Sequence, residues 1–95
     1  MAFVQQTPRP FNRQSIEALN QNQFGVYGLF RQGKWIYVGK GDIRKRLLDH
    51  LNGDNPCITR EQPTHWVDEV IAGDPSEREK QLILELSPSC NQKVG

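Results

Sequence analysis

Two tyrosines, a lysine, an arginine and a histidine fall within 24 positions of this chain, close enough for one hairpin and one helix to gather them. Tyr27 ends the run Gly25-Val26-Tyr27 and Tyr37 begins the run Tyr37-Val38-Gly39, on either side of the polar stretch Arg31-Gln32-Gly33-Lys34. Leu29, Phe30, Trp35, Ile36 and Val38 flank that stretch and are strand formers, so the pattern reads as a β-hairpin. Register then decides where the phenols point. A three-residue loop Arg31-Gln32-Gly33, with glycine in the left-handed position, sets Tyr27 directly opposite Tyr37 on a shared face. A two-residue loop sets Tyr27 opposite Val38 and parts the hydroxyls. The expectation is the shared face. Lys40 follows at once, and Gly41-Asp42 offers a helix start with Asp42 as N-cap. In that helix Ile43, Leu47, Leu48 and Leu51 form an apolar stripe, Arg46 and His50 stand one turn apart at its edge, and Asn52-Gly53 supplies a stop.

A carboxylate completes the set. Asp74-Pro75-Ser76-Glu77 has the form of a capping box, with an N-cap acid, proline at the first helical position and a reciprocal glutamate, and Ser87-Pro88 stops the helix that follows. Along it Glu79, Leu82, Ile83 and Leu86 recur at helical spacing, which puts Glu79 on the stripe that should face the core. A carboxylate there costs several kcal/mol unless it is ion-paired or holds a metal. Two chemistries are therefore open to Glu79: a salt bridge to an arginine such as Arg46, or ligation of a cation.

The elements that position these residues are few. A chain of 95 residues can bury one modest core, which implies a single domain. Met1 to Pro10, polar with two prolines, reads as a flexible arm before a domain over 11–95. Asn12 can cap a short helix carrying Ile16 and Leu19. Residues 54–63 read as a loop, and Thr64 to Ile71 as a third strand, although Asp68-Glu69 blurs its alternation. The expected architecture is α+β: an N-terminal helix, then β-β-α-β-α, with a three-stranded sheet flanked by helices. No apolar run is long enough to span a membrane, and no charged start precedes an apolar signal segment, so an intracellular, cytoplasmic location is expected. Cys57 and Cys90 are the two cysteines, without a further pair or a histidine at zinc spacing, and free thiols are expected rather than a disulfide.

From about Phe24 to Asn91 the chain resembles the GIY-YIG nuclease superfamily, as a small standalone domain, with Gly-Val-Tyr and Tyr-Val-Gly as conservative forms of the two name motifs. The resemblance implies a divalent-metal-dependent DNA endonuclease that hydrolyses phosphodiester bonds. It implies catalytic roles for Tyr27, Tyr37, Arg46, His50, Glu79 and Asn91, and for Lys40, which matches a lysine of the repair-type branch. Glu79 would hold Mg²⁺, with Mn²⁺ as the alternative. Arg46 would clamp the phosphate, Tyr37 would act as general base helped by Lys40 or His50, Tyr27 would position the water or phosphate, and Asn91 would tie the C-terminal segment to the site. The other reading is a catalytically weak or inactive nucleic-acid-binding module on the same fold.

Charge is compatible with a DNA partner. The net charge of +1 hides an asymmetry, since residues 1–46 carry eight Lys and Arg against two acids and residues 47–95 four against nine. Arg31, Lys34, Lys40, Arg44 and Lys45, with Arg46, are the expected contacts to a phosphate backbone, with modest and salt-dependent affinity. No second DNA-reading module is recognisable, so a partner protein or oligomerisation is expected to select the substrate.

Overall fold

The computed structural model describes residues 3–91, arranged as β1 (Arg9–Pro10), α1 (Arg13–Glu17), β2 (Phe24–Arg31), β3 (Lys34–Asp42), α2 (Ile43–Leu51), α3 (Pro56–Glu61), β4 (His65–Val70) and α4 (Ser76–Leu86). The sheet is antiparallel with order β1-β4-β2-β3, four strands where three were expected. Its two faces bury separate clusters. Tyr27, Leu29, Ile36 and Trp66 pack with Ile16 of α1, Ile43 and Leu47 of α2 and Ile58 of α3. Val26 and Val38, alternate positions that point the other way, pack against Leu82 of α4.

The hairpin turn is tighter than expected. Arg31 pairs with Lys34, leaving Gln32 (φ 48°) and Gly33 (φ 77°) as a two-residue loop with both residues left-handed. Such a loop alone would put Tyr27 opposite Val38. A β-bulge intervenes: Phe30 pairs with Trp35 but Leu29 pairs with Tyr37, so Ile36 is an extra residue on β3 and the register beyond it becomes Tyr27 with Gly39. The bulge restores the parity that the short turn breaks. The tyrosines share a face diagonally, with ring centroids 6.2 Å apart, rather than directly opposite.

Both edges of the sheet are covered in one manner. The described part of the expected arm, residues 3–10, is bound along β4: the Gln6 side chain donates to Asp68 O (2.8 Å) and accepts from Asp68 N (3.0 Å), Val4 N donates to Glu69 Oε2, and Phe3 stacks on Trp35. At the opposite edge Asn91 donates to Val38 O (2.8 Å) and accepts from Val38 N (2.7 Å), continuing bonds from Ser89 and Cys90 to Trp35 and Ile36. In each case a side-chain amide completes an open ladder, on β4 past the two-residue β1 and on the edge strand β3.

Three local expectations are corrected. Residues 56–61 are helical, because Asn55 caps Cys57 and Ile58 with its side chain and Pro56 occupies the first turn; six residues are too few to show a period, though Asn-Pro is the signature of such a start. At α4 the helix opens one residue late: Asp74 accepts from Ser76 N and Oγ, and Pro75 stands at the N-cap with no side-chain bond. The cysteines are joined, Cys57 on α3 to Cys90 of the C-terminal strap. Spacing does not reveal this, because it is the short helix α3 that carries Cys57 to the strap. With a sequence separation of 33 residues, reduction should lower stability by about 3–4 kcal/mol on the chain-entropy account. Urea unfolding with and without a dithiol measures this, and equal stabilities would show that the bridge does not form in solution.

Candidate active site

Tyr27 is 0% exposed, on the sheet face covered by α2, and its hydroxyl lies 2.7 Å from Nε2 of His50. Asp42 caps α2 by accepting from Lys45 N, and the turn-by-turn spacing of the helix then brings Arg46 and His50 over the tyrosines. His50 is 3% exposed, inside rather than at the edge of the stripe, with its ring 5.0 Å from that of Tyr37 and its Nδ1 2.8 Å from Oδ1 of Asp54. Gly39 faces Tyr27 across the strands, and a Cβ there would overlap the Tyr27 hydroxyl. The glycine of one motif thus makes room for the tyrosine of the other. Gly39→Ala should displace the Tyr27 ring and destabilise the fold by about 1–3 kcal/mol; an unchanged melting temperature would mean the ring has somewhere else to go.

The electrostatics follow from this burial. Desolvation pushes the Tyr27 phenol well above its ordinary pKa, aided by Tyr37 and opposed by the Arg46 guanidinium. Tyr37, partly exposed, is also raised by burial, again with Arg46 pulling it down and Glu79 pushing it up. Burial lowers the His50 pKa, with the Asp54 hydrogen bond working against it. A neutral buried His50 contributes stability above its unfolded-state value of about 6.5, and that contribution is lost as the pH falls. Arg46 is steadied by Asp49 Oδ2 at 3.3 Å and Asp54 Oδ2 at 3.9 Å.

Lys40 and Glu79 come from the other face. Lys40 pairs in register with Val26 and so points to the α4 side, where its Nζ donates to Ser76 Oγ (2.6 Å) and lies 3.9 Å from Glu79 Oε1. The Glu79 side chain is 22% exposed, at the rim, while Leu82 takes the buried position. The helices α2 and α4 both pack on the edge strand β3, from opposite faces, and the charge of Glu79 bears on Tyr37. No three His, Cys, Asp or Glu side chains gather as a metal cluster among the described residues. A cation at Glu79 would have this one carboxylate, only loosely ion-paired, as its protein ligand and oxygen from water or phosphate for the rest, which suits Mg²⁺.

Two sequence expectations change here. Neither Lys40 nor His50 is placed to take a proton from Tyr37: Lys40 is bound on the opposite face, and both His50 ring nitrogens are engaged. The basic residues do not form one face. Arg31 and Lys34 flank the hairpin turn, on Gln62 O and Glu61, while Lys40 lies about 20 Å further along β3 and Arg44 and Lys45 are in the first turn of α2. Asp49 and Asp54, which hold Arg46 and His50, were not singled out from the sequence; helical i+3 and i+4 spacing is the only local signal they carry.

The chain is a small α+β domain with a nuclease fold. It matches the N-terminal GIY-YIG endonuclease domain of UvrC from Thermotoga maritima bound to its catalytic divalent cation, magnesium, with TM-score 0.72 and 25% identity over 85% of this chain and 100% of that one. A tyrosine-to-phenylalanine variant of the same domain matches at TM-score 0.72 and 24% identity (85% and 100% covered), and an asparagine-to-alanine variant at TM-score 0.72 and 23% (86% and 100%), both bound to the catalytic divalent cation. No protein-family model and no curated protein matches the sequence. It is a GIY-YIG-like domain.

Proposed function

We propose that the protein is a Mg²⁺-dependent DNA endonuclease, with Mn²⁺ as a substitute ion, that cleaves phosphodiester bonds. What supports this reading is the likeness to a nuclease fold, together with the electrostatic reach of Arg46 and Glu79 to Tyr37 on the edge strand β3. Glu79 would hold the cation, which when bound supplies Lewis-acid polarisation of the phosphate and stabilises the leaving oxygen. Arg46 directs its forked donors at the phosphoryl oxygens, where negative charge grows in the transition state. Tyr37, the tyrosine that reaches solvent, takes the proton of the attacking water; burial raises its phenol, and Arg46 is the residue that eases its ionisation. Tyr27 is sealed from solvent, so its role is to hold His50 and Arg46 in place rather than to touch water or phosphate. Lys40 orients Glu79, and Asn91 fixes the edge strand beside Tyr37.

Lys40, Arg44 and Lys45 supply the backbone contacts next to the cleaved bond, and Arg31 and Lys34 a second contact along the duplex. Choice of substrate falls to DNA structure, a partner protein or a second copy. Surface depressions of about 460 and 360 Å³ lie outside α4 and beside the hairpin turn rather than over the tyrosines, which suits an open shelf for a polymer more than a small-ligand pocket. An intracellular location accompanies a DNA substrate, and no helix among the described residues is long and apolar enough to cross a membrane; the disulfide, which a reducing cytosol opposes, is the feature that speaks against the cytoplasm. Nicking of supercoiled plasmid and of branched DNA with Mg²⁺ or Mn²⁺, with Glu79→Ala as control, tests the reading. DNA binding without any cleavage would favour the inactive binding module.

A further inference from the structure

Asp54 follows α2 in the turn closed by Gly53, and its two carboxylate oxygens face different partners. Oδ1 lies 2.8 Å from His50 Nδ1 and Oδ2 lies 3.9 Å from Arg46 Nη1. A carboxylate only accepts, so His50 Nδ1 carries the proton they share. In the neutral ring Nε2 is then a lone pair, and the Tyr27 hydroxyl at 2.7 Å must be its donor. With its proton committed to His50, the Tyr27 oxygen keeps its lone pairs for a donor, and the Arg46 guanidinium is the cation that acts on it. Donor direction is thus set from Asp54 through two buried groups to the arginine.

We propose that Asp54 is a positioning residue of the cleavage site: by selecting the Nδ1–H tautomer of His50 it fixes the donor direction of Tyr27, and through Tyr27 and its own second oxygen it fixes the placement of Arg46. The consequence for cleavage rests on the nuclease reading above; the tautomer assignment does not. The groups facing His50 are Tyr27 from β2, Tyr37 from β3, Arg46 and Asp49 from its own helix, and Asp54. Protonation of His50 puts a hydrogen on Nε2 and reverses the chain, so cleavage falls as the pH drops through the His50 pKa. Asp54→Asn removes the charge that favours the imidazolium and lets an amide N–H face Nδ1, which permits the other tautomer.

The test uses the full chain. ¹⁵N NMR of the histidines without metal or DNA reads the tautomer, and single-turnover nicking of plasmid with Mg²⁺ reads the rate against pH. The expected result is Nδ1–H in the wild type, loss of that single tautomer in Asp54→Asn, a fall in the saturating single-turnover rate of about tenfold or more with the half-saturating concentration unchanged, an acid limb moved to lower pH, and recovery of the tautomer in Asp54→Glu. An Nε2–H tautomer in the wild type, or an Asp54→Asn protein that keeps the wild-type tautomer, rate and profile, overturns the proposal. A wild type that never cleaves DNA but whose His50 tautomer depends on Asp54 defeats the nuclease reading and leaves the assignment standing.

Discussion

Glu79→Gln is expected to abolish metal-dependent cleavage while leaving the fold intact. The side chain stands at the rim, 22% exposed and 3.9 Å from Lys40 Nζ, so the neutral amide breaks no close hydrogen-bonded pair and opens no cavity. Its loss therefore falls on chemistry rather than packing: an amide oxygen is a poor ligand for a hard divalent cation beside a carboxylate, and no group of three or more His, Cys, Asp or Glu among the described residues could hold the ion instead. Loss of the ion removes its stabilisation of the phosphate and leaving oxygen together, a contribution of several kcal/mol, on the order of 10³-fold in rate or more. Thermal melting should be within about 0.5 kcal/mol of wild type, as for other surface substitutions. Plasmid nicking by purified Gln variant at the wild-type rate would remove Glu79 from the mechanism.

Arg46→Lys keeps the positive charge but should lower cleavage by at least about 10²-fold with DNA affinity little changed. The guanidinium pairs with Asp49 and Asp54, and it also opposes the burial that raises both tyrosine phenols. A lysine ammonium is a point charge without the fork and cannot meet two phosphoryl oxygens and the tyrosine pair at once. On the proposed reading binding is spread over Lys40, Arg44, Lys45 and the hairpin-turn pair, so it should survive. Single-turnover rates and filter-binding affinities for the two proteins separate the two effects; equal losses in both would make Arg46 a backbone anchor.

What could be read from the sequence was local. Asp42 and Asn12 cap their helices as expected, because capping joins residues three apart and needs nothing else in place. The hairpin, the apolar stripe of α2 and the helix bearing Glu79 are likewise periodic signals within one element, and the motif tyrosines, Arg46 and His50 do converge. Tertiary structure decided the rest. Whether Tyr27 and Tyr37 share a face depended on the parity of a register, and the two-residue turn would have parted them had Ile36 not bulged. The Asp54–His50–Tyr27 chain is invisible in composition because its meaning lies in burial, which turns an ordinary hydrogen bond into a fixed donor direction. The Cys57–Cys90 bridge and the Gln6 and Asn91 clamps on the two sides of the sheet join residues 33 to 62 positions apart. Short-range periodicity carries no information about such pairs, and only the packing of α3, the N-terminal segment and the C-terminal strap against the sheet brings them within reach.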